Sequence, residues 1–338
     1  MIVQCPYCLN MVSPSLKVEG NSEIYKCSKC YRIIHRDYIE KDWPRGSIGL
    51  VGFSGHGKTC YLTSLFYLLR YIRGSNILGK EIIWNTLNKN TRMIVYDHVS
   101  NFEKKSELPP GTPENFPEPA LLEFQSIPFF QNFFLSFYDT NGGNFEDEDK
   151  ITEKAKYVAY CDVVLFIISI KDCENTTNEM ENLLEIYISA VYNNLRIDLK
   201  KNQHLIVVLT KADEIATELS DELRDFLQAG SYEWYRSNHF MDKDKALKNK
   251  VKKLMNMSEI IETWLRNSKN GSGFTALARR SFKSVEYTIV SSLGAEPGKN
   301  GLATKPKPDD PKRVLDPFFL ALEKIRPKGL LEKIKIFR

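Results

Sequence analysis

The feature that most constrains this chain is an octapeptide, Gly52-Phe53-Ser54-Gly55-His56-Gly57-Lys58-Thr59, which fits G-x-x-x-x-G-K-[ST] at every fixed position. It directly follows a strand-like apolar run, Ser47 to Val51, and precedes residues 60–70, whose apolar positions recur with helical spacing. A glycine-rich turn between strand and helix forms a cradle of backbone N–H groups for phosphate. The helix N-terminus adds its positive dipole end. On this reading Gly52 opens the turn, and Ser54, Gly55, His56, Gly57, Lys58, Thr59 and Cys60 offer backbone N–H groups. The Lys58 ammonium reaches the terminal phosphates and the Thr59 hydroxyl sits on Mg²⁺. An ordinary Gly-rich turn explains the glycines but not the strand and helix on either side.

The cysteines carry a second pattern. Four of the seven form Cys5-x-x-Cys8 and Cys27-x-x-Cys30, with 18 residues between the knuckles. Each knuckle presents two thiolates to one side of a tetrahedral ion, which points to structural Zn²⁺ in a ribbon over residues 1–42. A module of ~40 residues is too small to fold on apolar burial alone. Two disulfides are the competing arrangement, and they suit an oxidising compartment. No apolar run approaches the roughly 20 residues of a membrane span, and the start lacks a basic-then-apolar leader, so the expected setting is the cytoplasm. His35 is expected to be a surface or packing histidine. Cys60, Cys161 and Cys173 are expected to be small buried hydrophobes.

Further along, two apolar runs, Ala120 to Gln125 and Phe133 to Tyr138, read as a hairpin that ends in Asp139-Thr140-Asn141-Gly142-Gly143. A carboxylate at a strand tip is what a phosphate loop needs as its second metal anchor. Asp139 is therefore expected to hold Mg²⁺, and the Gly142 N–H to meet a terminal phosphate. Near-continuous apolar runs at 162–170 and 203–209 read as buried parallel strands. The second delivers Thr210-Lys211-Ala212-Asp213, in which Asp213 can accept from the N1–H and 2-amino group of guanine while the Lys211 stem covers the base. Adenine lacks that donor pair. A last strand, Glu286 to Val290, leads to Ser291-Ser292-Leu293-Gly294, where the backbone of Ser292 and Leu293 is placed to contact guanine O6.

Strand and helix alternate through this region, which implies an α/β fold with a mainly parallel sheet and helices on both faces, behind a small zinc ribbon. Ligands of such sheets bind at the carboxyl ends of the strands, where all four loops converge. The expected division is the ribbon, a domain over 46–325 with insertions near 74–119 and 214–257, and a basic tail over 326–338. A helix is expected from Ser258 to about Asn267, and another from Asp316 to Ile325. The formal charge is only +4, and residues 306–338 account for all of it. The ribbon mixes Lys17, Lys26, Lys29, Arg32 and Arg36 with Glu19, Glu23 and Asp37, so nucleic acid is not an expected partner. A helix packed through Phe318, Phe319 and Leu322 is favoured over contact of the basic end with a membrane.

In order and spacing these boxes resemble a P-loop GTPase of the translation-factor and Ras-like class. With the N-terminal ribbon and the Val314-Leu315-Asp316-Pro317-Phe318-Phe319 segment, the likeness extends to the bacterial double-GTPase group, which is associated with conflict or effector systems. The resemblance implies binding of GTP and GDP with Mg²⁺, slow GTP hydrolysis, switch behaviour and a protein effector or activator, and leaves homo-oligomerisation open. A non-hydrolysing scaffold whose ribbon recruits a partner is the alternative. The family's switch threonine has Thr112 as its candidate here, with Thr86 and Thr91 as weaker ones. The family's water-orienting Gln is replaced by Gly143, with Asn144, His56 or an arginine as substitutes to consider.

Overall fold

The computed structural model describes residues 2–19, 22–73, 78, 81–112, 118–174, 178–230, 234–236, 242–294 and 305–327. Five short strands open it. β1 (Val3–Gln4) and β2 (Met11–Val12) pair as a hairpin, and β3 (Ser15–Glu19), β4 (Ser22–Lys26) and β5 (Ile33–Ile34) form a three-stranded antiparallel sheet. A short helix, Arg36–Glu40, follows. His35 caps it, its Nδ1 accepting from the Asp37 N–H at 3.3 Å, so this histidine serves the backbone.

The central sheet comprises β6 (Arg45–Val51), β7 (Ile83–Thr86), β8 (Ala120–Ile127), β9 (Gln131–Tyr138), β10 (Val163–Ser169), β11 (His204–Thr210) and β12 (Ser284–Ile289). Its order is β12-β11-β10-β6-β9-β8-β7. The first five are mutually parallel, while β8 and β7 run antiparallel at one edge. Alternate side chains of the central strands enter different cores. Val163, Leu165 and Ile167 pack under the Lys58–Ile72 and Leu315–Ile325 helices, and Val164, Phe166 and Ile168 under the Glu179–Ser189 and Gly271–Ser281 helices. Each such fully buried side chain contributes ~1.5–3 kcal/mol, which is why strands clothed on both faces read as unbroken apolar runs. Among the described residues no helix is long and apolar enough to cross a membrane.

The ribbon is docked on the β8–β9 side of this sheet. Phe134 of β9 packs against Tyr38 and Trp43 with ring centroids 5.2 and 5.5 Å apart, and Lys41 pairs with the buried Glu123 of β8. The Arg45 guanidinium donates to Tyr38 O (2.7 Å) and Lys41 O (2.9 Å), closing the junction with backbone acceptors.

Several elements differ from expectation. The helix expected from Ser258 begins at Lys243 and runs unbroken to Asn267. Leu247, Val251, Leu254, Ser258, Ile261 and Leu265 recur at spacings of four and three, so its buried stripe extends well into the stretch expected as an insertion. Within 74–119 the chain adds the edge strand β7 and helical turns over Lys89–Lys105. The Gly271–Ser281 helix was not foreseen because Gly271 and Gly273 favour turns, and burial of Phe274, Leu277 and Ala278 overrides that propensity. Phe318, Phe319 and Leu322 are buried as expected. Most of the basic tail, from residue 328 onward, lies outside the described residues, as do residues 113–117 and 295–304.

One polar cluster sits deep beneath the C-terminal helix. The Arg313 guanidinium lies 3.9 Å from the ring centroid of Phe226 and 4.3 Å from that of Trp234, and donates to Asp316 Oδ2 at 2.6 Å. Tyr235 Oη donates to the other Asp316 oxygen at 2.8 Å. Removing one partner of such a pair strands the other charge in an apolar site. Asp316→Ala is therefore expected to cost about 3–5 kcal/mol in chemical denaturation, and the double change Arg313→Met with Asp316→Leu to cost less than the single one.

Candidate functional site

The site is built at the carboxyl ends of β6, β9, β11 and β12. From β6 the chain turns through Gly52–Gly57 into the Lys58–Ile72 helix. Gly57 caps that helix at φ 84, ψ 18, a left-handed conformation that side chains with a Cβ adopt at a cost. The Lys58 ammonium folds back over the loop and donates to Gly52 O (2.6 Å) and Phe53 O (2.8 Å). Burial lowers its pKa to about 8, opposed by the Asp139 carboxylate.

On one side of the loop three segments meet. Thr112 Oγ1 donates to Asp139 Oδ2 at 2.9 Å, Thr59 Oγ1 reaches the same oxygen at 3.3 Å, and the two hydroxyls lie 2.8 Å apart. Asp139 is half-buried and borders a further cavity, and its Oδ1 is shielded from water with no hydrogen-bond partner among the described residues. Burial pushes its carboxyl above the ordinary range, while Lys58, Thr112, Thr59 and the Thr140 N–H pull it back. A carboxylate with one buried, unpaired oxygen, beside two hydroxyls, is an all-oxygen donor set that suits a hard cation such as Mg²⁺.

Asn141 ties the Thr112 segment to the turn after Asp139. Its Nδ2 donates to Thr112 O at 2.9 Å and its Oδ1 accepts from the Gly143 N–H at 2.8 Å. Gly142 presses against the phosphate loop so closely that a Cβ there would lie 2.1 Å from Ser54 N. No larger residue fits without moving the loop.

Two contiguous cavities flank this junction. One, of about 300 Å³, is lined by Ser54, Lys58, Thr59, Thr112, Asn141 and Gly142 among others. The other, of about 370 Å³, is lined by Leu108, Thr210, Lys211, Asp213, Ser292 and Leu293; Gly55, Gly57 and Cys60 border both. Thr210 Oγ1 donates to His56 O at 2.8 Å, locking β11 to the phosphate loop. Glu214 also borders the second cavity but is held by Lys171 at 2.8 Å. The Ser292 carbonyl accepts from Ser64 Oγ at 2.5 Å, and Ser291 exchanges two backbone hydrogen bonds with Lys312, which braces this loop from the C-terminal segment.

The structure thus gathers Ser54, Gly55, Gly57, Lys58, Thr59, Cys60, Thr112, Gly142, Thr210, Lys211, Asp213, Ser292 and Leu293 around the two cavities, with Asp139 beneath. Gly52 lines neither and contributes its carbonyl to Lys58. Cys60 is half-buried at the cavity wall, unlike Cys161 and Cys173, because the first helical turn faces the site rather than the core. The His56 ring points away, its Nε2 3.1 Å from Asp172 and its Nδ1 3.2 Å from Ile167 O. Asn144 is buried, its Nδ2 donating to Thr140 Oγ1 at 3.0 Å. Thr91 is buried on Asn88 and the Leu121 backbone, and Thr86 lies within β7. Sequence reasoning did not single out Leu108 or Asn141, whose roles depend on contacts between segments far apart in the chain.

The four clustered cysteines form a separate centre. Cys5 and Cys30 Sγ lie 3.8 Å apart, Cys8 and Cys27 Sγ 3.7 Å apart, and all four sulfurs fall within 4.8 Å of one another. A disulfide needs about 2.05 Å. Zn–S bonds of about 2.3 Å in a tetrahedron give S···S near the observed values, so the cluster fits Zn²⁺. Burial raises the Cys27 thiol, but the N–H groups of Cys30 and Lys29 outweigh it and bring the pKa down to about 7. Burial moves the Cys5 and Cys30 thiols the other way, above the usual thiol range.

The family model of Double-GTPase 2 matches residues 47–265. Solved structures with a similar chain trace include a GTP-binding protein from the hyperthermophilic archaeon Sulfolobus solfataricus in complex with GDP. It shares 12% identity over 83% of this chain and 52% of that one, with a TM-score of 0.35. The S. cerevisiae Ski7 GTPase-like domain, bound to GDP and inorganic phosphate, shares 16% over 85% and 51%, with a TM-score of 0.39. Translation elongation factor SelB from Methanococcus maripaludis, in complex with the GTP analogue GppNHp, shares 13% over 75% and 31%, with a TM-score of 0.28. The chain therefore spans about half the length of the first two and less of the third. No curated protein matches it.

The cysteine geometry predicts one Zn²⁺ per chain. In competition with a chromophoric chelator, Cys8→Ser should weaken binding by roughly a hundredfold or more, about a quarter of an apparent free energy of ~10–16 kcal/mol.

Proposed function

We propose that this chain, which belongs to the Double-GTPase 2 family, is a GTP-binding switch that slowly hydrolyses GTP to GDP and phosphate. The observation that carries this reading is the convergence of the phosphate loop, Thr112, the Asp139–Gly142 turn, Asp213 and the Ser292–Leu293 loop around two adjoining cavities. The first cavity suits phosphates and the second a base.

On this reading Lys58 leaves the Gly52 and Phe53 carbonyls and turns to the β- and γ-phosphates. Thr59, Thr112 and Asp139 would hold Mg²⁺, which when bound neutralises charge growing on the phosphate oxygens. The Gly142 N–H meets the γ-phosphate, and Asp213 accepts from the guanine edge. Hydrolysis adds water to the γ-phosphorus and breaks its bond to the β–γ bridging oxygen. Gly143 offers no side chain to orient that water, so turnover is slow until a protein partner supplies a group worth ~10³–10⁵ in rate. Loss of the γ-phosphate frees Gly142 and Thr112, and because Asn141 binds both segments they relax together. The proposal extends to the division into a ribbon at 1–42, a GTPase domain at 46–325 and a basic tail at 326–338, and to action with partners in a bacterial conflict or effector system.

The same Gly143 supports a second reading, a scaffold that binds nucleotide without turnover. The Glu146 carboxylate lies 3.5 Å from where a Cβ of residue 143 would be, in the space a Gln side chain would need. Phosphate release that Lys58→Ala abolishes would exclude the scaffold.

Two further outcomes follow from the site. Wild-type chain should prefer fluorescent GTP analogues to ATP analogues, and Asp213→Asn should move the preference toward xanthine nucleotides; equal affinities for GTP and ATP would defeat the role given to Asp213. Lys58 has a lowered pKa of about 8 in the free chain, and phosphate contact raises it. Binding must therefore take up a proton above pH 8, and affinity must fall as pH rises through that value. Calorimetry in buffers of different ionisation enthalpy should detect uptake of up to about one proton at pH 8.5; release, or no exchange, contradicts the assignment.

A further inference from the structure

Tyr138 is the last residue of β9 and immediately precedes Asp139. It is fully buried, yet its hydroxyl donates to the carbonyl of Pro6 at 2.6 Å, across 132 positions of sequence. Pro6 lies inside the first cysteine knuckle, between Cys5 and Cys8. That knuckle is closed by its own contacts, with the Tyr7 N–H on Cys5 Sγ (3.4 Å) and the Leu9 N–H on Cys5 O (2.8 Å). Leu9, just beyond it, is buried in one apolar cluster with Tyr138, Phe145 and Ile151. The strand end that leads into the Asp139–Gly142 turn therefore rests on the ribbon, and Leu9 shares one core with residues beyond the turn. The ladder between β6 and β9 ends at the pair Gly49–Tyr138, so among the described residues no strand pairing extends into the turn.

We propose that Tyr138 is a positioning residue through which the zinc-loaded knuckle fixes Asp139 and its turn, so that zinc binding by the ribbon and nucleotide binding by the sheet strengthen each other. This rests on the nucleotide reading above. The position of the Pro6 carbonyl is set by the knuckle, and the knuckle depends on four thiolates sharing one ion, because so small a module has little core of its own. When the ion leaves, the buried Tyr138 hydroxyl loses its acceptor, and the segment carrying the metal-side carboxylate loses its hydrogen bond to the ribbon. Coupling between sites is reciprocal, so Mg²⁺–GDP must tighten zinc by the same factor by which zinc tightens Mg²⁺–GDP.

The test is a zinc titration of the full chain under reducing conditions, against a chromophoric chelator, with and without saturating Mg²⁺–GDP. One buried hydrogen bond sets the scale, so the wild-type zinc affinity should rise about 3–10-fold with nucleotide present. Tyr138→Phe, which keeps the ring in place, should bind zinc but show no such rise, and its affinity for Mg²⁺–GDP should fall by a similar factor. Zinc affinity unmoved by nucleotide in a wild-type chain that does bind GDP would overturn this inference alone. A wild-type chain that binds no guanine nucleotide would overturn it together with the reading it rests on.

Discussion

The rest of the site depends on one half-buried carboxylate. One Asp139 oxygen is shut off from water with no partner among the described residues, and two threonine hydroxyls from different segments reach the other. A charge so placed is costly unless something compensates it. Within the chain the compensation is Lys58, whose own burial weakens its ammonium. Both groups are thus held where each is uncomfortable alone, and on the proposed reading a bound cation and phosphate would relieve both. The phosphate loop cannot open independently of this arrangement, because Gly142 sits against the Ser54 backbone with no room for a side chain.

The sheet explains why such an arrangement can be held. β10 and β11 are clothed on both faces, and their side chains alternate between two cores. Rigid parallel strands end in loops at one edge, and those loops carry the chemistry. Bracing from outside the sheet completes it. The C-terminal segment clasps Ser291 through Lys312, and the ribbon supports the Tyr138 end of β9. Modules that look separable in the chain are joined at the site by buried polar contacts.

Much of this was legible in the sequence where chemistry demands a fixed local spacing. The octapeptide at 52–59, the paired cysteine knuckles and the apolar runs of β10 and β11 each encode their structure within a few residues. Thr112 emerged through resemblance rather than spacing, since nothing local marks it out among the chain's threonines. Asn141 and Tyr138 stayed silent because their partners, Thr112 and Pro6, are brought to them only by the fold. The Gly271–Ser281 helix was hidden by its glycines, whereas the early start of the Lys243–Asn267 helix was written in an apolar stripe that the charged residues around it obscured.

The most direct test is a crystal structure grown with GppNHp and Mg²⁺. The account predicts the ion on the Thr59 and Thr112 hydroxyls beside Asp139, and the Asp213 carboxylate on the Watson–Crick edge of guanine. A nucleotide bound elsewhere, or bound here with Asp213 turned from the base, would contradict it.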